Sequence, residues 1–302
     1  MNKILYVTVV LIWGTTWLAI SQQAGQVPPV AAVFHRFLTA SLIMFIISLS
    51  KREIRWIGFR SAALAIVQGL CLYSFNFILF YKGVFYISGG LESLIFSTAV
   101  FLNTLGSRLF WNQRAPKGFI RAALLGLFGL MMILFDDLGL GSDSWKGMLY
   151  CLGGTTLFSL GNMLGIKLHR EGVKPLCSGT YAMVGGTMVL ALIMIMGNVP
   201  FALPLKAAYL LPLIHLALLG SVIAFTSYLT LVNRIGAQKT ALITVATPVI
   251  ASALAVCFEG ESLSLFKGLG ALLILLSNIL GQRGRKTRKK ERPGSLATSK
   301  QQ

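Results

Sequence analysis

Charged side chains are scarce in this sequence. Only 12% of its 302 residues are charged, and just nine residues are acidic. Because soluble domains carry roughly 25% charged residues, a soluble globular fold is excluded for most of the chain. The mean hydropathy is +0.75, and apolar runs of about 20 residues recur, each long enough to cross a bilayer. Since irregular backbone cannot face lipid, these runs predict an all-α polytopic membrane protein.

Motifs for catalysis and for energy coupling are also missing. The sequence has no GxxxxGK[ST] loop to cradle phosphates, which argues against ATP-driven transport by this chain. Its three histidines are dispersed, and no His, Cys or carboxylate cluster has metal-ligand spacing. We therefore expect no metal, no cofactor and no enzymatic activity. The four cysteines lack CxxC spacing and are expected to pack as small apolar residues: Cys71, Cys151, Cys177 and Cys257.

Proline, glycine and charged residues separate the apolar runs and predict ten transmembrane spans. These cover residues 4–22, 30–50, 61–81, 89–111, 118–135, 146–166, 177–197, 209–231, 239–258 and 265–282. The first span follows a single lysine but lacks a clear cleavage site, so we expect it to remain as a helix. The connections are short and leave no room for a soluble catalytic domain.

Basic residues are distributed unevenly between the two sides of the predicted bundle. Of the 27 lysines and arginines, 22 lie on the side of the N terminus, four lie on the other side and Arg36 lies within a span. This asymmetry predicts an inner-membrane protein with both termini in the cytoplasm. The basic tail, residues 283–302, is predicted to be disordered and to contact anionic lipids. Because the net charge of +18 is confined to loops and tail, we expect no nucleic-acid partner.

Two short echoes indicate an internal repeat. The segment IWGTTWL at 12–18 is similar to GGTTLF at 153–158, and STAV at 97–100 is similar to ATPV at 246–249. Together with ten spans, these echoes predict two halves of five helices. An odd number of helices forces the halves into opposite orientations, and inverted repeats are typical of secondary transporters that work by alternating access.

Three longer segments carry a family resemblance. They are LIWGTTWLAI in the first span, VFHRFLTASLIMF in the second, and TPVIASALAVCFEGESLSLFKGLGALLILLSNIL at the end. In these segments the chain resembles the EamA family of the drug/metabolite transporter superfamily, over about residues 4–282. The resemblance implies two repeats, 4–135 and 146–282, with helices 1–4 and 6–9 around a pathway and helices 5 and 10 outside. It also implies export or exchange of small metabolites such as amino acids.

Two ionisable residues inside the spans are candidate functional groups. Arg36 in span two and Glu92 in the first turn of span four are predicted to lie at comparable depths in the outer third of the membrane. Burying either ion alone is expensive. We expect either a structural ion pair between them or direct contact with substrate or a proton. The neighbouring His35 either contacts another helix or has a proton-linked role.

Aromatic and polar residues at mid-span complete the candidate site. Trp13 and Trp17 share one face of span one, away from the interfaces where tryptophan usually collects, so they either line a cavity or pack. Tyr73 and Asn76 share a face of span three, where Asn76 either bonds between helices or contacts a ligand. Pro248 in span nine frees a backbone carbonyl and is a candidate hinge.

The sequence therefore predicts an inner-membrane secondary transporter that exports or exchanges small polar metabolites, with amino acids or their derivatives as first candidates. One alternative is a lipid-carrier or drug transporter of the same fold. Another is a membrane-embedded sensor or enzyme, against which the short loops argue.

Overall fold

The computed structural model describes residues 2–113, 115, 118–138, 143–235, 240, 243–260 and 264–283. Within them the chain forms ten apolar helices and no strand. In order these are α1 Asn2–Gln23, α2 Pro29–Ser50, α3 Phe59–Gly83, α4 Gly89–Trp111, α5 Phe119–Leu138, α6 Ser144–Arg170, α7 Pro175–Met196, α8 (Ala207–Ile214, His215–Ile223 and Ala224–Ile235), α9 Ile243–Phe258 and α10 Leu265–Arg283. The predicted all-α fold is confirmed, and the helices begin and end within a few residues of the predicted spans.

Seven of these helices are long and apolar enough to cross a membrane, and α5, α9 and α10 supply shorter apolar stretches. Local sequence sets several helix ends. Helices α2 and α7 both begin with a proline in the first turn, where its missing N–H and fixed φ cost nothing. Helix α4 ends at Asn112 with φ +49°, and α9 is followed by Gly260 with φ +68°. Left-handed residues of this kind terminate helices.

Helix packing shows a two-fold pattern. A contact between two helices recurs when each helix is replaced by its equivalent in the other half, five helices away in chain order. Helix α1 packs against α9, and α4 packs correspondingly against α6. The contacts of α3 with α6 and α7 have counterparts in those of α8 with α1 and α2. Helices α5 and α10 pack against each other, and a Cβ added at Gly129 or Gly270 would lie within 2.7 Å of the other residue's carbonyl oxygen. Small residues permit this close approach. The packing agrees with two five-helix repeats.

Both repeats depart from regular α-helix at equivalent places. The third helix of the first half contains a π-helical segment at Leu70–Ser74, and that of the second half contains one at His215–Ile223. Helix α4 is interrupted at Ser97 and Thr98. Helix α9, which has Pro248 at the matching position, is continuous over Ile243–Phe258. The interruption therefore lies in the half that lacks the proline, and a hinge at Pro248 stays a prediction.

Candidate functional site

A narrow aromatic chamber lies where the two halves meet. Seven rings from α1, α3, α4, α6 and α8 form most of its wall: Trp13, Trp17, Phe77, Phe80, Phe96, Phe158 and Phe225. Its volume is about 30 Å³, which is room for one or two water molecules. Ligand pockets usually measure roughly 300–1,000 Å³, so the chamber is much smaller than a typical ligand site.

Trp13 and Trp17 are both in this wall, and each is only 5% exposed. The Trp13 ring centroid lies 4.9 Å from that of Tyr228 and 5.1 Å from that of Phe225. Its indole Nε1 donates to the Gly220 carbonyl at 3.3 Å. Aromatic contacts of this kind contribute beyond simple burial, and they hold the Trp13 indole at the chamber surface. The i, i+4 spacing of the two tryptophans thus places both on the cavity side of α1.

Arg36 is the cationic residue of the chamber and is 1% exposed. Its Nε donates to Ser221 Oγ at 3.0 Å, and its guanidinium carbon lies 4.1 Å from the Phe77 ring centroid. The guanidinium also contacts the Tyr81 hydroxyl. Its Nη1 has no hydrogen-bond partner among the described residues. A buried cation with a free donor in a cavity is suited to an incoming anion.

The predicted ion pair between Arg36 and Glu92 is absent. Both carboxylate oxygens of the fully buried Glu92 lack a hydrogen-bond partner in the described chain, and no salt bridge joins the two residues. The reason is geometric: the Glu92 side chain lies against Gly83 of α3 and near the Gly147 carbonyl of α6. Arg36 is directed instead toward Ser221 of α8.

Glycine makes the position of Glu92 sterically possible, because a Cβ at Gly83 would clash with the carboxylate. Two neighbouring groups complete the setting. Ser88 caps α4 by accepting from the Leu91 N–H at 3.1 Å, and the Cys151 thiol donates to the Glu92 carbonyl at 3.2 Å. The first turn of a helix favours negative charge, yet the carboxylate itself has no donor in the described chain.

Asn76 and Tyr73 lie on one face of α3 but line two different cavities. Asn76 lines the chamber, is fully buried, and has no partner for its amide oxygen or nitrogen among the described residues. Tyr73 lies on the far side of Phe225, at 5.1 Å between ring centroids, and faces a second cavity. The chamber therefore presents two unpartnered polar groups, Arg36 Nη1 and the Asn76 amide.

His35 does not reach the chamber. Its Nδ1 bonds the Tyr209 hydroxyl at 2.9 Å, and its Nε2 lies 3.3 Å from the Phe201 carbonyl. These contacts tie α2 to α8 and to the segment before it. The structure therefore gives His35 a helix-contact geometry, which was one of its two predicted roles.

Sequence reasoning missed Glu259, which follows the last residue of α9. Its carboxylate accepts hydrogen bonds from the Ser21 hydroxyl and, at 2.9 Å, from the Gly89 N–H at the start of α4. One side chain thus links α9, α1 and α4 on the end of the bundle away from most basic residues. The sequence did contain a signal for it. Glu259 is an acidic residue directly before Gly260, at the end of a predicted span and on the side of the bundle that carries few charges.

Among the described residues, no group of three His, Cys, Asp or Glu side chains comes together as a metal-binding cluster. The chemistry that these residues provide is recognition: a cation, an amide and apolar ring faces enclosed between helices of both halves. This is the composition of a small-ligand site, in which a few polar groups fix orientation inside an apolar lining.

Comparison with known proteins identifies relatives over the whole helical region. Escherichia coli (strain K12) has two: the uncharacterized inner membrane transporter YedA, 24% identical over 89% of this chain and 87% of YedA, and a probable amino-acid metabolite efflux pump, 22% identical over 94% of this chain and 97% of the pump. Protein PagO of Salmonella typhimurium is 30% identical, over 48% of each chain. A solved crystal structure matches with a TM-score of 0.70, covering 95% of this chain and 99% of its own, at 18% identity.

The family comparison is more direct than any single relative. The model of the EamA-like transporter family matches twice, at residues 3–135 and 145–280. The two matches account for nearly all of the described helices, and the solved structure supports the same fold. The resemblance noted in the sequence is confirmed: the chain belongs to the EamA-like transporter family.

Proposed function

We propose that this chain is an inner-membrane secondary transporter that exports or exchanges a small metabolite carrying a carboxylate, by alternating access. The observation that carries the proposal is Arg36, a buried cation with an unpartnered Nη1 in the chamber between the two repeats. The names of the relatives agree with it, since one is an inner membrane transporter and another a probable amino-acid metabolite efflux pump.

The chamber residues suggest how such a substrate is held. The substrate carboxylate takes the free Arg36 Nη1 in a charge-assisted hydrogen bond. Asn76 supplies an amide that can donate to or accept from a second polar group, such as an amine. Trp13 and Trp17 pack against the apolar part. Amino acids and their derivatives have this combination of groups and are the first candidates.

Glu92 is proposed as the proton-binding group. Its carboxylate has no donor among the described residues, and a neutral carboxylic acid costs much less to bury than a carboxylate. Protonation and deprotonation of Glu92 would then favour different packings of α3, α4 and α6. Pro248 in α9 and the interruption at Ser97 in α4 are the proposed flexible points of these movements.

Flux in liposomes tests the role of Arg36. Purified protein should exchange labelled amino acids without added nucleotide, after a metabolite-export comparison of cells lacking and overproducing the protein has narrowed the candidates. Arg36→Gln should reduce carboxylate flux at least about tenfold, since a hydrogen bond to a charged group contributes about 1.5–3 kcal/mol. Arg60→Gln, which removes an exposed arginine at the start of α3, is the matched control.

Carboxylate flux that survives Arg36→Gln unchanged contradicts the proposal. A lipid-carrier or drug substrate remains the second candidate, because aromatic walls also suit amphipathic drugs. It predicts flux of uncharged amphiphiles that does not depend on Arg36. A sensor predicts that function needs the tail, whereas a transporter should keep its flux after removal of residues 285–302.

A further inference from the structure

A second and larger cavity opens at the basic end of the molecule, the end where Lys51, Lys174 and Arg234 lie. We call it the vestibule. It lies between α2, α7 and α8 and has a volume of about 620 Å³, within the range of roughly 300–1,000 Å³ found for ligand sites. The vestibule is therefore large enough for a metabolite, whereas the central chamber in this state is not.

The lining of the vestibule changes from charged to apolar with depth. Its rim carries Lys51, Lys174, Arg234 and His169, with Glu53 as the acid among the lining residues. The Lys174 Nζ pairs with a Glu53 oxygen at 2.9 Å, so that acid is already neutralised. Lys51 and Arg234 have no ion-pair partner within the described chain. A rim with surplus positive charge favours an anion.

Below the rim the wall is apolar. Met44 and Ile47 of α2 and Leu176 and Met183 of α7 line the cavity. A ligand that satisfies both zones has an anionic head and an apolar body. Methionine side chains also adapt to ligands of different shape, so the apolar zone does not require one particular body.

Two aromatic side chains close the inner end of the vestibule. The rings of Tyr73 and Phe225 lie edge to face, with centroids 5.1 Å apart. Phe225 lines both the vestibule and the central chamber, so its ring is part of the wall between them. The fully buried Tyr73 hydroxyl has no hydrogen-bond partner among the described residues. A buried unpaired hydroxyl in a cavity wall is costly unless a ligand or water completes it.

The same two side chains are carried by the irregular segments of α3 and α8. Tyr73 lies inside the π-helical segment Leu70–Ser74, and Phe225 follows the π-helical segment His215–Ile223 by two residues. Segments of π-helix are rare and are frequently found at functional sites. Their presence in corresponding helices of both repeats puts one barrier residue in each half.

We propose that the vestibule is a loading site for an amphipathic anion, and that the Tyr73–Phe225 pair is the barrier this anion passes to reach Arg36. The barrier rests on the proposed function, since it assumes that Arg36 receives the anion. The vestibule as a binding site does not, because its rim charge, apolar wall and unpaired hydroxyl are independent of the chamber.

Binding of a fluorescent probe tests the vestibule without requiring transport. Dansylglycine carries a carboxylate on an apolar body, and dansylamide is its uncharged counterpart. The full-length protein in phosphatidylcholine nanodiscs should bind dansylglycine saturably and at least tenfold more tightly than dansylamide. The double variant Lys51→Gln/Arg234→Gln should weaken dansylglycine binding fivefold or more, and Tyr73→Phe should weaken it measurably. Lys206→Gln, on the opposite end of the bundle, should change nothing.

Labelling of the chamber tests the barrier. In a background without the four native cysteines, Thr16→Cys places a thiol in the chamber wall, and a small anionic methanethiosulfonate reports access from the basic end. Phe225→Leu should raise the labelling rate at least fivefold. Phe45→Leu, which shortens a lipid-exposed ring on α2, is the matched control. Equal rates in the two variants would overturn the barrier.

The remaining outcomes separate the two proposals. If dansylglycine binding does not depend on Lys51 and Arg234, the vestibule is not the proposed loading site, even if Arg36-dependent flux persists. Rim-dependent binding without any flux retains the vestibule and rejects the transport proposal. Loss of dansylglycine binding in phosphatidylglycerol nanodiscs would identify a lipid headgroup as the occupant and would overturn a metabolite-loading site.

Discussion

The two ends of the helical bundle are built differently. At one end, the Glu259 carboxylate accepts from Ser21 of α1 and from the Gly89 N–H of α4, so three helices meet at a single side chain. We call this contact the Glu259 latch. At the basic end, α2, α7 and α8 line a cavity of about 620 Å³, and at its rim the exposed Lys174 pairs with the partly buried Glu53.

This difference is informative because the two repeats are related by an inverted two-fold pattern. An inverted repeat can adopt a second arrangement in which the open end closes and the closed end opens. If the chain works by the proposed alternating access, the contacts that distinguish the ends must form and break in each cycle. The Glu259 latch would then belong to that set, and the following predictions test it.

The largest expected effect is all-or-none and concerns which end faces the cytoplasm. The charge asymmetry predicts that the vestibule end and the chain after Arg283 are cytoplasmic, and that the segment 136–144, of which residues 139–142 lie outside the described residues, is external. Cysteine-accessibility labelling in intact cells should modify a cysteine in that loop and leave one in the tail unmodified. Equal labelling of both would contradict the orientation and with it the assignment of inner and outer ends.

Removing the charge of the latch should give the next largest effect. Glu259→Gln replaces hydrogen bonds to a carboxylate by weaker neutral ones, and bonds to charged groups contribute about 1.5–3 kcal/mol. A free-energy change of about 1.4 kcal/mol shifts an equilibrium constant tenfold. The population of the arrangement that is closed at the Glu259 end should therefore fall roughly tenfold or more. Labelling of Thr16→Cys from the Glu259 side measures the change.

The matched control for the latch is Asp143→Asn, which removes an acid on the same end. Asp143 pairs with Lys146 at 2.9 Å, but both side chains are exposed, and exposed ion pairs contribute little. A labelling rate that rises equally in both variants would assign the effect to surface charge rather than to the latch.

A smaller effect is expected from Glu92→Gln, which keeps the shape of the side chain. Two other titratable groups act on Glu92: the Cys151 thiol donates to its carbonyl, and the Glu259 carboxylate exerts a like-charge repulsion on it. If Glu92 carries the proton, the variant should fold with normal yield but show flux several-fold lower and insensitive to pH. Measuring flux between about pH 5.5 and 8 decides this. A wild-type pH profile in the Glu92→Gln protein would remove Glu92 from the coupling mechanism.

The features that the sequence predicted correctly are those that depend on residues close together in the chain. Hydropathy and helix-terminating residues are local properties, so all ten helices were predicted, and the i, i+4 spacing of Trp13 and Trp17 indicated a shared face. The pairing of Arg36 with Glu92 was wrong because equal depth does not fix the direction of two side chains. The direction of a side chain depends on how its helix is rotated about its axis. Here the Glu92 side chain packs against Gly83 of α3, whereas Arg36 donates to Ser221 of α8.

The functional residues missed by sequence reasoning are those whose role depends on a distant partner. The Glu259 latch joins positions 238 and 170 residues apart in the chain. Phe225 also had no local signal, because its place in the wall between two cavities depends on ring contacts with the distant residues Tyr73 and Phe77 of α3.

The smallest effect is expected from the ion pair at the open end. Glu53→Gln removes the partner of Lys174, but the side chains are 24% and 56% exposed, and pairs of this kind contribute about 0.2–1 kcal/mol. The variant also leaves one more unpaired cation at the vestibule rim, so dansylglycine should bind slightly more tightly, by no more than about threefold. Added salt should abolish the gain, since exposed charges are screened within about 8 Å at physiological ionic strength. Titration at low and high salt measures both effects. Weaker binding of dansylglycine to Glu53→Gln would mean that the Lys174–Glu53 pair orders the rim side chains rather than neutralising their charge. The pair would then have a structural role like that of the Glu259 latch, despite its greater exposure to solvent.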